Sequence, residues 1–279
     1  MAGQPIPTIK LNDGNSLPLA GTGTYKMTDP LQMEQAIMTA YKNGCRLIDT
    51  ASFYKNEEIL GKVLRRSGID RNELFITTKV WNTAQRMGDI RGSLERSLER
   101  LRLDHVDMYM IHWPVPNLYL RTWEELIRIR DDGLARSIGV CNFDITHLEN
   151  LFAHSGVIPA VNQIECHPLW NRSELVNYCQ NHGIAVQAYS PLARGGYRDR
   201  EILLRIGQKY GKTASQIGLR WLVQQNISVI PKSVHPDRIA ENFDLFDFTL
   251  TESEMASISL LDEQLRISHI PDDITPGDL

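Results

Sequence analysis

Short apolar runs recur along the chain, and between them the apolar positions shift to a helical spacing. The runs are "LAGTGT" (19–24), "RLIDTA" (46–51), "LFITTKV" (74–80), "VDMYMIHW" (106–113), "SIGVCNF" (137–143), "AVNQIECH" (160–167), "IAVQAYS" (184–190) and "SVIPKS" (228–233). Each is nearly continuous in apolar residues, as in parallel strands covered on both faces. The segments between them carry helix signals. "TDPLQMEQAIMTAYKNG" offers Thr28 or Asp29 as N-cap, Pro30 in the first turn and Gly44 as a stop, with Ile37, Ala40 and Tyr41 on one face. "IRGSLERSLERLRL" sets Ile90, Leu94, Leu98 and Leu101 on one stripe, and "TESEMASISLLDE" opens with a capping box from Thr251 to Glu254. Eight strand–helix units in one unbroken series predict an α/β fold, a (β/α)8 TIM barrel occupying residues 1–279 as one domain. A doubly wound open sheet is the rival, and the unbroken series favours closure. Ahead of the first unit, "TIKLNDGNSLPL" reads as a β-hairpin turning at Asp13-Gly14 and closing the barrel floor.

Composition narrows the classes of function. The chain has 279 residues, 42% of them hydrophobic, so its core needs no disulfide or metal. The net charge of −4 is not gathered into blocks, which argues against nucleic-acid or membrane-surface partners. Cys45, Cys141, Cys166 and Cys179 are scattered without a C-x-x-C pair and read as reduced core thiols of a cytoplasmic protein. "MAGQPIPTIKLNDG" lacks the regions of a signal peptide, and no run is long enough to span a bilayer. The "NRS" sequon at Asn171 carries no meaning in that setting.

Nearly every predicted strand ends in a polar residue that a core does not need. These are Asp49, Lys79, His112, Asn142, Gln163 with His167, Tyr189 with Ser190, and Lys232, and Tyr54 follows Asp49 by five positions. In a TIM barrel these ends converge on the active site. Taken singly, Asp49 reads as a turn cap, Lys79 as a snorkelling cation, His112 as a core histidine and Tyr54 as packing. Their coincidence at one mouth is what points to chemistry. A tyrosine hydroxyl, with a pKa of about 10, is a poor acid at neutral pH. An ammonium at about 4 Å in an effective dielectric of about 20 stabilises its phenolate by roughly 4 kcal/mol, or about three pKa units. Lys79 is therefore expected to draw Tyr54 toward a general-acid range, with Asp49 keeping Lys79 charged. A neutral His112 would hydrogen-bond the substrate oxygen. This set protonates a carbonyl oxygen, but side chains supply no hydride, so a cofactor is required.

No G-x-G-x-x-G, Walker loop or H-E-x-x-H is present, and no metal is expected. The candidate cofactor site is "VIPKSVHPDRIAENF" (229–243), where Lys232, Ser233 and Arg238 gather at a helix start opened by Pro236. That is an anion site at the strand-8 position barrels use for phosphate. Against it stands the plain reading of a charged helix start. Asn142 and Gln163 have the chemistry to hold a carboxamide, and Tyr189 to stack on a flat ring.

Taken with "LNDGNSLP", "RLIDTASFYKNEE", "LFITTK", "DMYMIHWP", "SIGVCNF", "AVNQIECHP", "QAYSPLARG" and "IPKSVHPDRIAENFDLFDF", the chain resembles the aldo-keto reductases over essentially its whole length. Its short loops are similar to those of the bacterial 2,5-diketogluconate reductase and morphine-dehydrogenase-like branch. The resemblance implies a catalytic tetrad at Asp49, Tyr54, Lys79 and His112, and nicotinamide contacts from Asn142, Gln163 and Tyr189. It implies binding of the NADPH 2′-phosphate by Lys232, Ser233 and Arg238, with Glu241 and Asn242 at the adenine and Ser190 and Leu192 near the pyrophosphate. Tyr25, Trp81, Trp113 and Trp170 would line the substrate pocket, beside His112. It also implies a monomer acting on a small-molecule carbonyl. Two positions depart from the pattern: Cys141 where serine is usual, and Lys55 where glycine commonly follows the tyrosine. The short loop after strand 4 and the short tail after "LLDEQ" suggest an open pocket.

The leading expectation is thus an NADPH-dependent reductase of aldehydes or ketones. An NADPH-binding sensor with negligible turnover is the alternative, disfavoured by the intact tetrad. A barrel hydrolase using Asp49 and Glu57 as paired acids is disfavoured because a lysine accompanies the central acid.

Overall fold

The computed structural model describes residues 6–274; the start of the chain that was read for a signal peptide lies partly outside them, at residues 1–5. The elements run β1 (Thr8–Lys10), β2 (Ser16–Pro18), β3 (Gly21–Gly23), α1 (Pro30–Lys42), β4 (Leu47–Asp49), α2 (Glu57–Ser67), β5 (Phe75–Val80), α3 (Asn82–Met87), α4 (Ile90–Leu101), β6 (Val106–Ile111), α5 (Tyr119–Asp131) and β7 (Ala135–Cys141). They continue with α6 (Ile145–Ser155), β8 (Val161–Glu165), α7 (Ser173–Asn181), β9 (Ala185–Tyr189), α8 (Glu201–Tyr210), α9 (Ala214–Val223), β10 (Ile227–Val229), α10 (Pro236–Phe243) and α11 (Glu252–Ser259).

Strands β3 to β10 pair in sequence order, all parallel. The last strand returns to the first through a parallel bridge between Ala20 and Val229, so the sheet closes. This is the predicted (β/α)8 barrel, and each of the eight strands overlaps its expected run. β1 and β2 form the antiparallel hairpin, turning through Gly14 at φ +93°, a conformation that favours glycine. Leu11 and Leu17 of this ribbon pack with Leu47, Met108, Met110, Val161 and Ala185 and seal the barrel from below.

The helices begin and end where their residues dictate. Asp29, not Thr28, caps α1 through its bond from the Gln32 N–H, and Pro30 follows at the first position. The Thr251–Glu254 capping box opens α11. Ile90, Leu94, Leu98 and Leu101 are buried, as their spacing requires.

Two strand ends differ from the sequence expectation in ways that move site residues. β10 stops at Val229 because Pro231, two residues on, has no N–H for the ladder, so Lys232 and Ser233 lie in the loop beyond the strand. Gln163 is interior to β8, not at its end, and so lies deeper in the barrel than the sequence suggests.

Candidate active site

The mouth is organised around a buried ion pair. Lys79, at the penultimate position of β5, is fully buried, and its Nζ donates to Asp49 Oδ1 at 2.6 Å, Asp49 Oδ2 at 2.8 Å and the Thr50 carbonyl at 2.9 Å. Its three donors are thereby matched. Burial pulls the ammonium down, but Asp49 and Tyr54 more than offset this and hold it above its ordinary value, so it stays charged. Tyr54 closes a 3₁₀ turn (Ser52–Tyr54) that Ser52 pins to β5 by donating to the Lys79 carbonyl at 2.9 Å. Lys79 Nζ lies 5.2 Å from the Tyr54 ring centre. The His112 ring, directly after β6, stands edge-on to Tyr54 at 5.7 Å. Burial, aided by Lys79, pushes the imidazole well below its ordinary value, so His112 is neutral, as expected.

One expectation is corrected. Lys79 was expected to draw the Tyr54 phenol down, but burial dominates and holds it above its usual value, with Lys79 acting in the lowering direction only as a lesser effect and Asp49 opposing it. The ammonium also bonds both Asp49 oxygens, and that carboxylate opposes part of its pull on the phenol. Tyr54 is therefore held in its protonated form.

Aromatic rings frame the opening. Tyr25, 43% exposed, lies 5.0 Å from Tyr54, and Trp81 stands edge-on to His112 at 5.0 Å. Phe53 stacks on Trp81 at 3.8 Å and completes the wall. Sequence reasoning passed over Phe53; its only signal was its place beside Tyr54. Trp113 is buried and clusters with Val115 and Ile274, and Trp81 packs against this cluster. Trp170 lines a separate 380 Å³ cleft with Asp144, Arg172 and Asp262.

The short tail docks onto the barrel. Buried Glu165 accepts from the backbone N–H groups of Ile267 and Ser268 at 2.5 and 2.9 Å. Farther on, Asp273 accepts from Asn82 and Arg86. Ser268 Oγ lies 3.1 Å from the Tyr189 hydroxyl, which donates to Asn142 Oδ1 at 2.8 Å, while Asn142 Nδ2 donates to the His112 carbonyl at 3.0 Å. Asn142 has φ +62°, a left-handed conformation that asparagine tolerates. Lys55 has φ +55°, which supplies a physical reason for glycine at that position.

A second region lies beside α10. Leu192, Lys232, Ser233, Arg238, Glu241 and Asn242, all read from the sequence, line one cleft of 730 Å³. Ser190, at φ +49°, begins the loop that walls it but does not itself line it. The same cleft gathers Arg194 and Arg198 from that loop, two cations the sequence reading missed. No carboxylate of the described residues comes within 4.0 Å of the charged ends of Arg194, Arg198, Lys232 or Arg238. Burial and the nearby Lys26 charge push Lys232 below its ordinary value. Cations left uncompensated in a concave site fit a polyanionic ligand. The loop is held by Tyr197, fully buried, whose hydroxyl donates to the Pro191 carbonyl at 2.9 Å. Gly218 of α9 admits that ring, since a Cβ there would lie 2.5 Å from the hydroxyl. Among the described residues, no cluster of three or more His, Cys, Asp or Glu is placed to hold a metal, and no helix is long and apolar enough to cross a membrane. All four cysteines are unpaired and buried.

A closed barrel with a lysine–carboxylate pair, a tyrosine and a neutral histidine at its mouth agrees with what comparison of the whole chain finds. The model of the Aldo/keto reductase family matches residues 19–263, and the chain belongs to this family: it is an oxidoreductase acting on carbonyl compounds with a nicotinamide cofactor. It is 43% identical over 267 residues to the glyoxal reductase of Bacillus subtilis (strain 168), covering 96% of this chain and 97% of that protein. It is 46% identical over 270 residues to the methylglyoxal reductase DkgA of Yersinia pestis, covering 95% and 96%. Among solved structures, an aldo/keto reductase from Brucella melitensis superposes with a TM-score of 0.87 at 42% identity, covering 92% of this chain and all of that one. A Bombyx mori aldo-keto reductase in complex with NADP superposes with a TM-score of 0.90 at 38% identity, covering 96% of each chain.

Proposed function

We propose that the protein is an NADPH-dependent reductase that converts aldehydes and ketones to alcohols, with Tyr54 as the proton donor. Small dicarbonyls are the favoured substrates, ahead of aromatic aldehydes and keto sugars, because similar proteins carry the names glyoxal reductase and methylglyoxal reductase. The observation that carries the reading is the meeting of Asp49, Lys79, Tyr54 and His112 at one barrel mouth.

NADPH supplies the hydride when bound. The residues of the chain supply the rest. Tyr54, protonated and half-buried, gives its proton to the carbonyl oxygen as negative charge develops there. Lys79 stabilises the phenolate that results, and Asp49 keeps Lys79 charged and in place. His112, neutral, donates a hydrogen bond to the same oxygen and orients it. In the reverse direction Tyr54 takes the proton of an alcohol. Phe53, Trp81 and Tyr25 exclude water around the reacting oxygen.

For the cofactor, Asn142 and Gln163 would hold the nicotinamide carboxamide and Tyr189 would stack on the ring. Lys232, Ser233 and Arg238, with Arg194 and Arg198 close by, fit the 2′-phosphate and pyrophosphate, with Ser190 and Leu192 beside the latter. Glu241 and Asn242 sit at the adenine end; the Glu241 carboxylate already accepts from the Thr213 hydroxyl. The test is to follow NADPH absorbance with methylglyoxal, glyoxal, an aromatic aldehyde and a keto sugar, repeating each with NADH. Reduction of at least one dicarbonyl with a marked NADPH preference supports the reading. Tight NADPH binding without turnover on any of them would instead support a sensor.

A further inference from the structure

A hydrogen-bonded chain crosses the barrel interior below the active site and has no part in the proton transfer described above. Cys141, Gln163, Gln187 and Ser228 lie side by side on β7, β8, β9 and β10, each in register with the next. All four are buried. Gln163 Nε2 donates to Asp49 Oδ2 at 2.7 Å and to Gln187 Oε1 at 2.6 Å. Gln187 Nε2 donates to Ser228 Oγ at 3.2 Å, and Ser228 Oγ donates to the Pro18 carbonyl at 2.8 Å.

The direction of this chain is fixed at both ends. The Pro18 carbonyl can only accept, so Ser228 must give it the hydroxyl hydrogen and accept at its oxygen. Gln187 must then turn its nitrogen to Ser228 and its oxygen to Gln163. At the other end, the Asp49 carboxylate, held by Lys79, also accepts. Both hydrogens of Gln163 Nε2 are thereby used, and only Oε1 is left for anything outside the chain. A lone glutamine amide presents either end by rotating; this one is locked as an acceptor.

We propose that Gln187 and Ser228 are positioning residues that lock Gln163 with its oxygen toward the cofactor, so that the protein selects a nicotinamide carboxamide by its N–H group. The proposal rests on the placement of Gln163 at the carboxamide given above. It assigns a role to the floor hairpin as well, since the Pro18 carbonyl of β2 sets the direction of the chain. Removal of Gln187 frees one Gln163 hydrogen to face the cofactor, and removal of the Ser228 hydroxyl lets the Gln187 amide turn.

The experiment compares the affinity of NADP⁺ with that of its 3-acetylpyridine analogue, which keeps the carbonyl and lacks the N–H, and with 2′,5′-ADP, which lacks the nicotinamide. Binding is read by quenching of protein fluorescence. Wild type should prefer NADP⁺ over the analogue by about five- to tenfold, the loss of one neutral hydrogen bond. Gln187→Met should bring that ratio toward one, Ser228→Ala should lower it part of the way, and Ser228→Thr should restore it. Affinity for 2′,5′-ADP should stay unchanged throughout. If Gln187→Met does not fold, Ser228→Ala against Ser228→Thr carries the test alone. A wild-type ratio of one, with no loss in Gln163→Ala, would overturn both the proposal and the placement of Gln163. A large wild-type ratio that collapses in Gln163→Ala yet persists in Gln187→Met and Ser228→Ala would overturn the proposal and leave the placement standing. An equal loss for 2′,5′-ADP would make the chain a general structural support and also overturn it.

Discussion

The barrel mouth and the cleft beside α10 treat charge in opposite ways. At the mouth, every donor of Lys79 is matched within the protein, and the ion pair with Asp49 is closed to solvent. In the 730 Å³ cleft, Arg194, Arg198, Lys232 and Arg238 have no carboxylate partner among the described residues. A self-neutralised, rigid site suits chemistry that needs fixed geometry, since no solvent has to rearrange as charge moves. A site with surplus charge suits binding, because the anion completes it. Burial outweighs Lys79 at Tyr54, and Asp49 opposes part of the lysine's pull.

The contrast can be broken from either side. Tyr54→Phe should give the largest effect, lowering carbonyl reduction by about 10²- to 10⁴-fold. NADPH affinity, measured by fluorescence titration, should hold, because the cleft is untouched. Lys79→Met comes next. It leaves Asp49 buried without its counter-charge, and the expected loss of stability is about 3–5 kcal/mol in urea unfolding. Adding Asp49→Asn should recover part of that loss, and the pair should be strongly non-additive in both rate and stability; simple additivity would show that the two do not act as a unit.

Most of the barrel was legible because its strands are buried on both faces, so each appears as a continuous apolar run, and because the polar residue that ends such a run stands out. Asp49, Lys79 and His112 were visible for that reason. Arg194 and Arg198 were not. They belong to a loop in which Ser190, Ala193, Arg194 and Gly195 all have positive φ, and no periodicity encodes where such a loop carries its side chains. Gln163 was visible as a polar residue in an apolar strand, but its depth depends on β8 continuing two residues further. The Tyr54 shift runs opposite to the expectation because a sequence shows that a lysine is near and not how deeply the phenol is buried. The docked tail rests on Glu165 and Asp273, two carboxylates whose partners are far away in the chain.

On the binding side, Arg238→Ala should weaken NADPH by about ten- to a hundredfold, the loss of one charge-assisted bond of about 1.5–3 kcal/mol. NADH should change much less, and added salt should narrow the preference. Equal losses for both cofactors would place Arg238 on their shared part.

A smaller effect concerns pH. His112 is held neutral in the fold, below the ordinary value of 6.5 that it regains on unfolding. The unfolded chain therefore takes up this proton first. The stability conferred is fully present above about pH 6.5 and falls as pH drops below it, by up to about 1.4 kcal/mol per pH unit. Urea unfolding between pH 5 and 8 should show this slope in wild type and a smaller one in His112→Gln, since His105, also held below its ordinary value by burial, keeps a share of it.

The smallest effect is at Lys55. Its φ of +55° costs an L-residue about 1 kcal/mol, so Lys55→Gly should raise stability by up to that amount. An unchanged melting temperature would show that the strain is relieved by contacts of the lysine itself.

The division of labour between mouth and cleft is tested most directly by measuring kcat for methylglyoxal and Kd for NADPH side by side in wild type, Tyr54→Phe and Arg238→Ala. The account predicts a crossed result. Tyr54→Phe loses kcat by at least about a hundredfold and keeps Kd within about threefold, while Arg238→Ala raises Kd at least about tenfold and keeps kcat within the same margin at saturating NADPH. Substantial turnover in Tyr54→Phe, or a parallel loss of kcat and Kd in both variants, would contradict it.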